Sequence, residues 1–296
     1  MKPIENPNDI SAFRKLGGVE VQTATASGDF IKNVRINLKR ELPKLPDIPG
    51  FLEVKGHNKP IGLIGGGPSI KKELDNIRDF KLAGFPIIAC GSSHDYLISQ
   101  GIMPEYCTLC DPDPITAEYI KKHHKDVKYL VALSCDSLVF ERLKDRQVYV
   151  WNCRSDEAAE EIKKDLVGHI DILGGCTVGL RSMSIAMCFG HTNVHLWGYD
   201  SCMGENSEHH AYEFETDKEL IGDIYPIRFG ESNSDKPDEG GRYYMCSGYQ
   251  LAQAMHFMEF LKAYGKAFTP TFHGGGMMSD FYDYLRSKMM TERKAA

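Results

Sequence analysis

Two glycine-rich stretches and a histidine pair carry the residue types in this 296-residue chain that are able to do chemistry. The first is Gly65-Gly66-Gly67-Pro68-Ser69, which interrupts the apolar run Ile61-Gly62-Leu63-Ile64 and leads into Lys71-Lys72-Glu73-Leu74. This reads as a buried strand, a tight turn and a helix start, with Pro68 at an early helical position. Glycines there let the backbone approach a ligand closely, and the free N–H groups of the helix start favour a phosphate. A plain strand-to-helix turn uses the same residues. The loop is not a Walker A, because no Gly-Lys-Ser/Thr follows, and it lacks the full dinucleotide-binding spacing. The second stretch, Gly174-Gly175-Cys176-Thr177-Val178-Gly179, opens a long helix, with the Thr177 hydroxyl serving either an anion or the helix N-cap alone. The pair His209-His210 lies in a polar excursion from Asp200 to Tyr244. A loop of that length is usually a lid or a binding loop, where a histidine acts as general base or metal ligand, or does nothing.

The elements that must position these residues alternate. Short apolar runs at Ile61–Ile64, Pro86–Cys90, Tyr106–Cys110, Tyr129–Leu133, Val148–Trp151 and Val194–Trp197 read as strands. Amphipathic stretches at Ile70–Phe80, Ser93–Gln100, Ile115–His124, Asp156–Leu166 and Val178–Phe189 read as helices. Such alternation specifies an α/β fold, a mostly parallel sheet with helices on both faces. Ligands of such sheets bind outside the carboxyl ends of the strands. There the sequence places small and polar residues: Gly65–Ser69, Gly91-Ser92, Asp111-Pro112-Asp113, Ser134-Cys135, Asn152-Cys153 and Gly198-Tyr199-Asp200. Residues 1–58 read as an N-terminal extension with no assigned chemistry, and 59–296 as one domain. Later, Ser247–Ala263 reads as a helix whose Leu251, Ala254, Met255, Met258 and Leu261 face the core. A third glycine cluster, Gly274–Gly276, either closes over the pocket or turns the chain.

Composition narrows the class. A net charge of -6 argues against broad nucleic-acid binding or attachment to an anionic membrane. No apolar run approaches the ~20 residues of a membrane span. The start, Met1-Lys2-Pro3-Ile4-Glu5-Asn6-Pro7, has no apolar signal core, and nine irregularly spaced cysteines suggest reduced thiols. The expectation is a cytoplasmic protein. Cys107 and Cys110 form one C-x-x-C, but within a strand they point to opposite faces, which argues against zinc.

Five motifs in order complete the reading: the Gly65–Ser69 loop, Gly101-Ile102-Met103-Pro104-Glu105-Tyr106, Asp111-Pro112-Asp113, the Gly174–Val178 loop, and Leu196-Trp197-Gly198-Tyr199-Asp200 followed by His209-His210. Together they resemble the family named after the archaeal 6-hydroxymethylpterin diphosphokinase, MptE-like, which shares its core with motility accessory factors that glycosylate flagellin. More remotely they are similar to bacterial sialyltransferases that use a CMP-activated sugar. The resemblance implies a Rossmann-like domain with a lid-like loop after the last parallel strand. It places Gly65, Gly66, Gly67, Pro68 and Ser69, with Gly91 and Ser92, around a nucleotide, and Gly175, Cys176 and Thr177 at its phosphate. Asp111, Asp113 and Asp200 would contact ribose, base or metal, with His209 or His210 as general base; His209, His210 and Asp200 are the candidate catalytic residues. Three functions follow: transfer of a sugar from a nucleotide-activated donor to an acceptor hydroxyl; diphosphate transfer from ATP, with Mg²⁺ held by Asp111 and Asp113; or nucleotide binding without catalysis.

Overall fold

The computed structural model describes residues 27–52, 56–153, 162–212, 224–229, 242–265 and 268–295. Eight of its strands form one parallel sheet: β1 (His57–Ile64), β2 (Ile87–Cys90), β3 (Tyr106–Leu109), β4 (Lys128–Ala132), β5 (Gln147–Cys153), β6 (Asp171–Ile172), β7 (His191–Trp197) and β10 (Thr269–His273). Their spatial order is β10-β7-β1-β2-β3-β4-β5-β6. The chain therefore winds outward from β1 to β6, then returns to the opposite side of β1. That reversal makes the C-terminal ends of β1 and β7 the switch point, where loops on either side diverge and leave a crevice. Register aligns the ends, with Ile64 opposite both Ala89 and Trp197, and Trp197 opposite His273.

The central strands are buried along most of their length: Ile61 to Ile64, all of β2, and Tyr129 to Ala132. That continuity is what a parallel sheet covered by helices on both faces requires. The helices are α1 (Ser27–Leu38), α2 (Ile70–Leu82), α3 (Ser93–Ser99), α4 (Ser137–Arg142), α5 (Val178–Cys188), α6 (Gly248–Tyr264) and α7 (Met277–Ala295). Helix α5 packs across β1, β2, β3 and β7 and thus brings its N-terminus to the switch point.

Several elements differ from the sequence reading. The expected helix from Ile115 is a 3₁₀ helix, Pro114–Ile120, begun by Asp113, whose carboxylate accepts the Ile115 N–H at 2.8 Å. Two prolines and the local Asx turn favour this tight form over a full helix. The helix expected at Asp156–Leu166 lies largely outside the described residues, and 163–168 are turns. The excursion after β7 is not all loop: β8 (Ile224–Phe229) and β9 (Arg242–Ser247) pair as an antiparallel ribbon. The edge strand β10 was not expected, and its Pro270 is tolerated because an edge position needs no second ladder partner. In α6 the buried face is Leu251, Ala254, Phe257 and Phe260, while Met255 and Met258 are only half-buried. The two phenylalanines bring the larger apolar area to that face, and Met258 packs against its edge.

Residues 27–52 pack on the sheet. The buried Asn37 amide donates to Leu133 O at 2.9 Å and Cys135 O at 2.8 Å, and Asn33 donates to Ser134 O at 3.0 Å. These side chains satisfy carbonyls at the end of β4 that no strand or helix reaches. They also fix α1 against the carboxyl edge of the sheet.

Candidate functional site

Both glycine-rich loops arrive at this edge. At the first, Gly65 N–H donates to Trp197 O at 2.7 Å and Gly67 N–H to Gly198 O at 3.0 Å. A side chain at Gly67 would have its Cβ 2.6 Å from Asp200 Oδ2, so the approach of the β1 and β7 ends requires glycine. Asp200 is 4% exposed and accepts both the Ser69 N–H at 2.7 Å and the Ser69 hydroxyl at 2.5 Å. Burial pushes its carboxyl up to about 6, against the pull of the two Ser69 bonds. Its own carbonyl accepts the Met278 N–H at the start of α7 at 3.1 Å. Asp200 thereby fastens the Gly65–Ser69 loop to the C-terminal helix, and Gly276, with φ +105°, fits directly against it.

At the second loop, Gly174 and Gly175 both have positive φ, which other residues rarely adopt. Thr177 is the N-cap of α5, its hydroxyl accepting the Leu180 N–H at 3.4 Å. Cys176 N–H donates to His256 Nδ1 at 3.2 Å, an acceptor kept neutral because burial lowers the imidazole. Arg181, one turn beyond Thr177, donates to Ile172 O at 2.6 Å and borders the same space.

The histidine loop docks on the first glycine loop. Ala211 N–H donates to Gly66 O at 2.9 Å, and the Tyr212 hydroxyl donates to Ser92 Oγ at 2.7 Å. A Cβ at Gly66 would lie 2.8 Å from His210 Cδ2 and 2.9 Å from Ser92 Oγ. The His210 ring stacks on Tyr212, and the Nδ1 atoms of His209 and His210 are 3.2 Å apart.

Between these walls lies a cleft of two lobes, about 260 and 140 Å³, which share Ser92, Thr177 and Val178. Of the residues expected from sequence, the larger lobe collects Gly91, Ser92, Asp111, Gly175, Cys176 and Thr177. The smaller collects Gly65, Gly66, Gly67, Ser92, Thr177, His209 and His210. Pro68, Ser69 and Asp200 stand behind the first loop rather than on either wall. Asp111 lines the larger lobe, with its carboxyl raised by burial, but Asp113 is exposed and caps the 3₁₀ helix. The two carboxylates are therefore not brought together on the cavity. Among the described residues, no group of three or more His, Cys, Asp or Glu is placed to hold a metal ion.

Several wall residues escaped the sequence reading. Phe30 comes from α1, in the segment to which no chemistry was assigned, and Tyr119 from the 3₁₀ helix. Gln250 and Gln253 come from α6, and Ser201 donates to Gln253 Oε1 at 2.7 Å. Arg181 did have a signal: it stands four residues after Thr177, on the same face of one helix. The rest depend on tertiary placement.

The architecture is that of a Rossmann-like protein with a two-lobed cleft at its topological switch point. The family described as 6-hydroxymethylpterin diphosphokinase MptE-like matches residues 29–206, and the chain belongs to it. That span holds both glycine loops and ends before His209. Among solved structures, the MAf glycosyltransferase from Magnetospirillum magneticum AMB-1 is similar at 16% identity and a TM-score of 0.60, over 84% of this chain and 37% of that one. The present chain thus spans well under half of that protein, and the likeness is one of fold. A mammalian sialyltransferase, solved in complex with Gal-beta-1-3GalNAc-ortho-nitrophenol, aligns at 10% identity and a TM-score of 0.42, over 93% of this chain and 88% of that one. No curated protein sequence matches. No helix among the described residues is long and apolar enough to cross a membrane.

Proposed function

We propose that this protein is a glycosyltransferase-like enzyme that moves a sugar from a nucleotide-activated donor to an acceptor hydroxyl. The observation that carries this reading is the joining of two unlike lobes at Ser92, Thr177 and Val178. The larger has a helix N-terminus and the Arg181 guanidinium for phosphate, and the Phe30 and Tyr119 rings for a flat base. The smaller has the histidine pair and the side-chain amides of Gln250 and Gln253, suited to a polyhydroxylated group.

In this reading the imidazole of His209 or His210 takes the proton of the acceptor hydroxyl as its oxygen attacks the anomeric carbon. The bond from that carbon to the donor phosphate breaks, and the negative charge on the leaving phosphate meets the α5 N-terminus and Arg181. Asp200 holds the Gly65–Ser69 loop in place and takes no part in proton transfer. The family's own description favours a second reading, diphosphate transfer from ATP. That reaction uses Mg²⁺ to neutralise phosphates. Asp113 is exposed, its carboxylate accepts the Ile115 N–H, and it is absent from the cavity wall, which leaves Asp111 as the one carboxylate of the pair there.

Thermal-shift titration with CMP, UDP, GDP and ATP, each with and without Mg²⁺, tests the proposal. A ligand at ~100 times its Kd stabilises by about 2.7 kcal/mol. Metal-independent stabilisation by CMP, UDP or GDP supports sugar transfer and names the donor to assay. Stabilisation by ATP only with Mg²⁺ would put the diphosphokinase reading first. A nucleotide that binds but gives no product with any donor and acceptor would leave a binding protein.

A further inference from the structure

One hydroxyl at the junction of the two lobes is released from its ordinary local task. Ser92 stands at the N-cap of α3, yet its side chain makes no cap hydrogen bond. A serine there ordinarily accepts a helix N–H. The turn is served by the next residue instead: the Ser93 hydroxyl accepts the Cys90 N–H at 3.1 Å and donates to Ile64 O at 2.6 Å. The Ser92 oxygen accepts the Tyr212 hydroxyl at 2.7 Å, and as a donor it makes no hydrogen bond among the described residues. The Tyr212 ring packs against Tyr96 of α3 at 5.1 Å and against His210 at 5.8 Å, between ring centroids. Ser92, Thr177 and Val178 line both lobes. Val178 has no polar side chain, and the Thr177 oxygen is engaged as the N-cap of α5.

Resting on the sugar-transfer reading, we propose that Ser92 is a further catalytic residue. Its hydroxyl donates a hydrogen bond to the oxygen that bridges the anomeric carbon and the donor phosphate, with Tyr212 as its positioning residue. With phosphate in the larger lobe and sugar in the smaller, the bond that breaks lies where the lobes meet, and Ser92 stands there. As the carbon–oxygen bond breaks, its electron pair stays on the bridging oxygen, and the Ser92 hydrogen bond strengthens with the growing charge. Ser92 and Tyr212 keep their protons. The acceptor's proton goes to the imidazole, and the nucleotide leaves with its phosphate charged. The bond from Tyr212 polarises the Ser92 hydroxyl and makes it a better donor. Tyr212 shares its loop with His209 and His210, so the segment that carries the base also sets the leaving-group donor.

The test measures nucleotide release from CMP-, UDP- and GDP-activated sugars by the full wild-type chain and by Ser92→Ala, Ser92→Thr and Tyr212→Phe. Ser92→Ala is expected to lower kcat about 10²-fold, the effect of losing one donor to a developing oxyanion, with KM within about twofold of wild type. Ser92→Thr keeps the hydroxyl and recovers most of the rate. Tyr212→Phe lowers kcat roughly tenfold alone and has no further effect in the Ser92→Ala background, because it acts only through that hydroxyl. The acid limb of the kcat profile stays in place in Ser92→Ala, since the imidazole is untouched. A change in KM or melting temperature with kcat at the wild-type value is the signature of a structural role and overturns the proposal, as does a Ser92→Thr rate no higher than that of Ser92→Ala. Tyr212→Phe removes a single oxygen from a half-buried ring, so the test holds even where Ser92→Ala does not fold. A wild-type chain that binds a nucleotide but releases none from any of the three donors overturns sugar transfer itself, and the role of Ser92 with it. Turnover by the wild type that Ser92→Ala matches overturns the role of Ser92 alone.

Discussion

Replacing Asp200 by asparagine isolates the cost of an ionised carboxylate beneath the first glycine loop. The Asp200 carboxyl is raised from 3.8 to about 6, by burial first and against the two Ser69 bonds. A raised carboxyl contributes stability that is full below its unfolded pKa and is lost as pH rises through the folded one. The window therefore runs from about pH 4 to a little above 6, and a shift of roughly two units corresponds to about 3 kcal/mol. The asparagine side chain does not titrate, so the wild type should lose this amount relative to Asp200→Asn across the window. The destabilisation caused by the variant should be greatest near pH 4, where a neutral carboxyl is replaced by an amide that meets the Ser69 donors with its own. It should shrink by up to about 3 kcal/mol on going to pH 7. Urea unfolding of both proteins at a series of pH values measures this, because the other titrating groups cancel in the difference. A difference that stays flat would mean that the Ser69 bonds balance burial, and one that widens with rising pH would mean that they outweigh it and that the carboxylate is the favoured form; either refutes the reasoning.

Further predictions address the cleft and its supports. His209→Ala and His210→Ala are expected to leave nucleotide-induced stabilisation unchanged, while one of them lowers transfer by about 10² or more; full turnover in both removes the base assignment. Arg181→Met should weaken nucleotide binding by roughly tenfold, the loss of one charge-assisted hydrogen bond, read from the ligand concentration needed for a given thermal shift. Asn37→Ala leaves two buried carbonyls without their donor and should cost about 2 kcal/mol in urea unfolding.

The sheet was legible because its strands are short apolar runs that end in small polar residues, and period and punctuation are local properties. The strands from β1 to β5, together with β7, and the starts of α2 and α5 came directly from them. What escaped lacks a local signal. β6 is two residues long, β10 contains a proline, and among the described residues β8 and β9 pair with each other alone. The same division holds in the cleft. Gly65–Gly67 and Gly174–Thr177 announce themselves by composition, whereas Phe30, Tyr119 and Gln253 are ordinary residues until the fold delivers them. Asp200 shows the intermediate case: the sequence put it at a strand end, but only the structure shows its carboxylate engaged by Ser69 and absent from the cleft walls.

The return of the chain to the far side of β1 has a consequence for how the protein is made. The strands from β1 to β5 pair with their successors in sequence, so that half of the sheet closes through comparatively near contacts. The first glycine loop instead takes its shape from β7 and from Asp200, 131 residues beyond Ser69. Such distant closure is the slow part of folding. A chain still emerging from synthesis, or refolding from denaturant, is then expected to regain its secondary structure before it can hold a ligand. Binding competence becomes a report of the last step, and a ligand acts on folding only by trapping the finished protein.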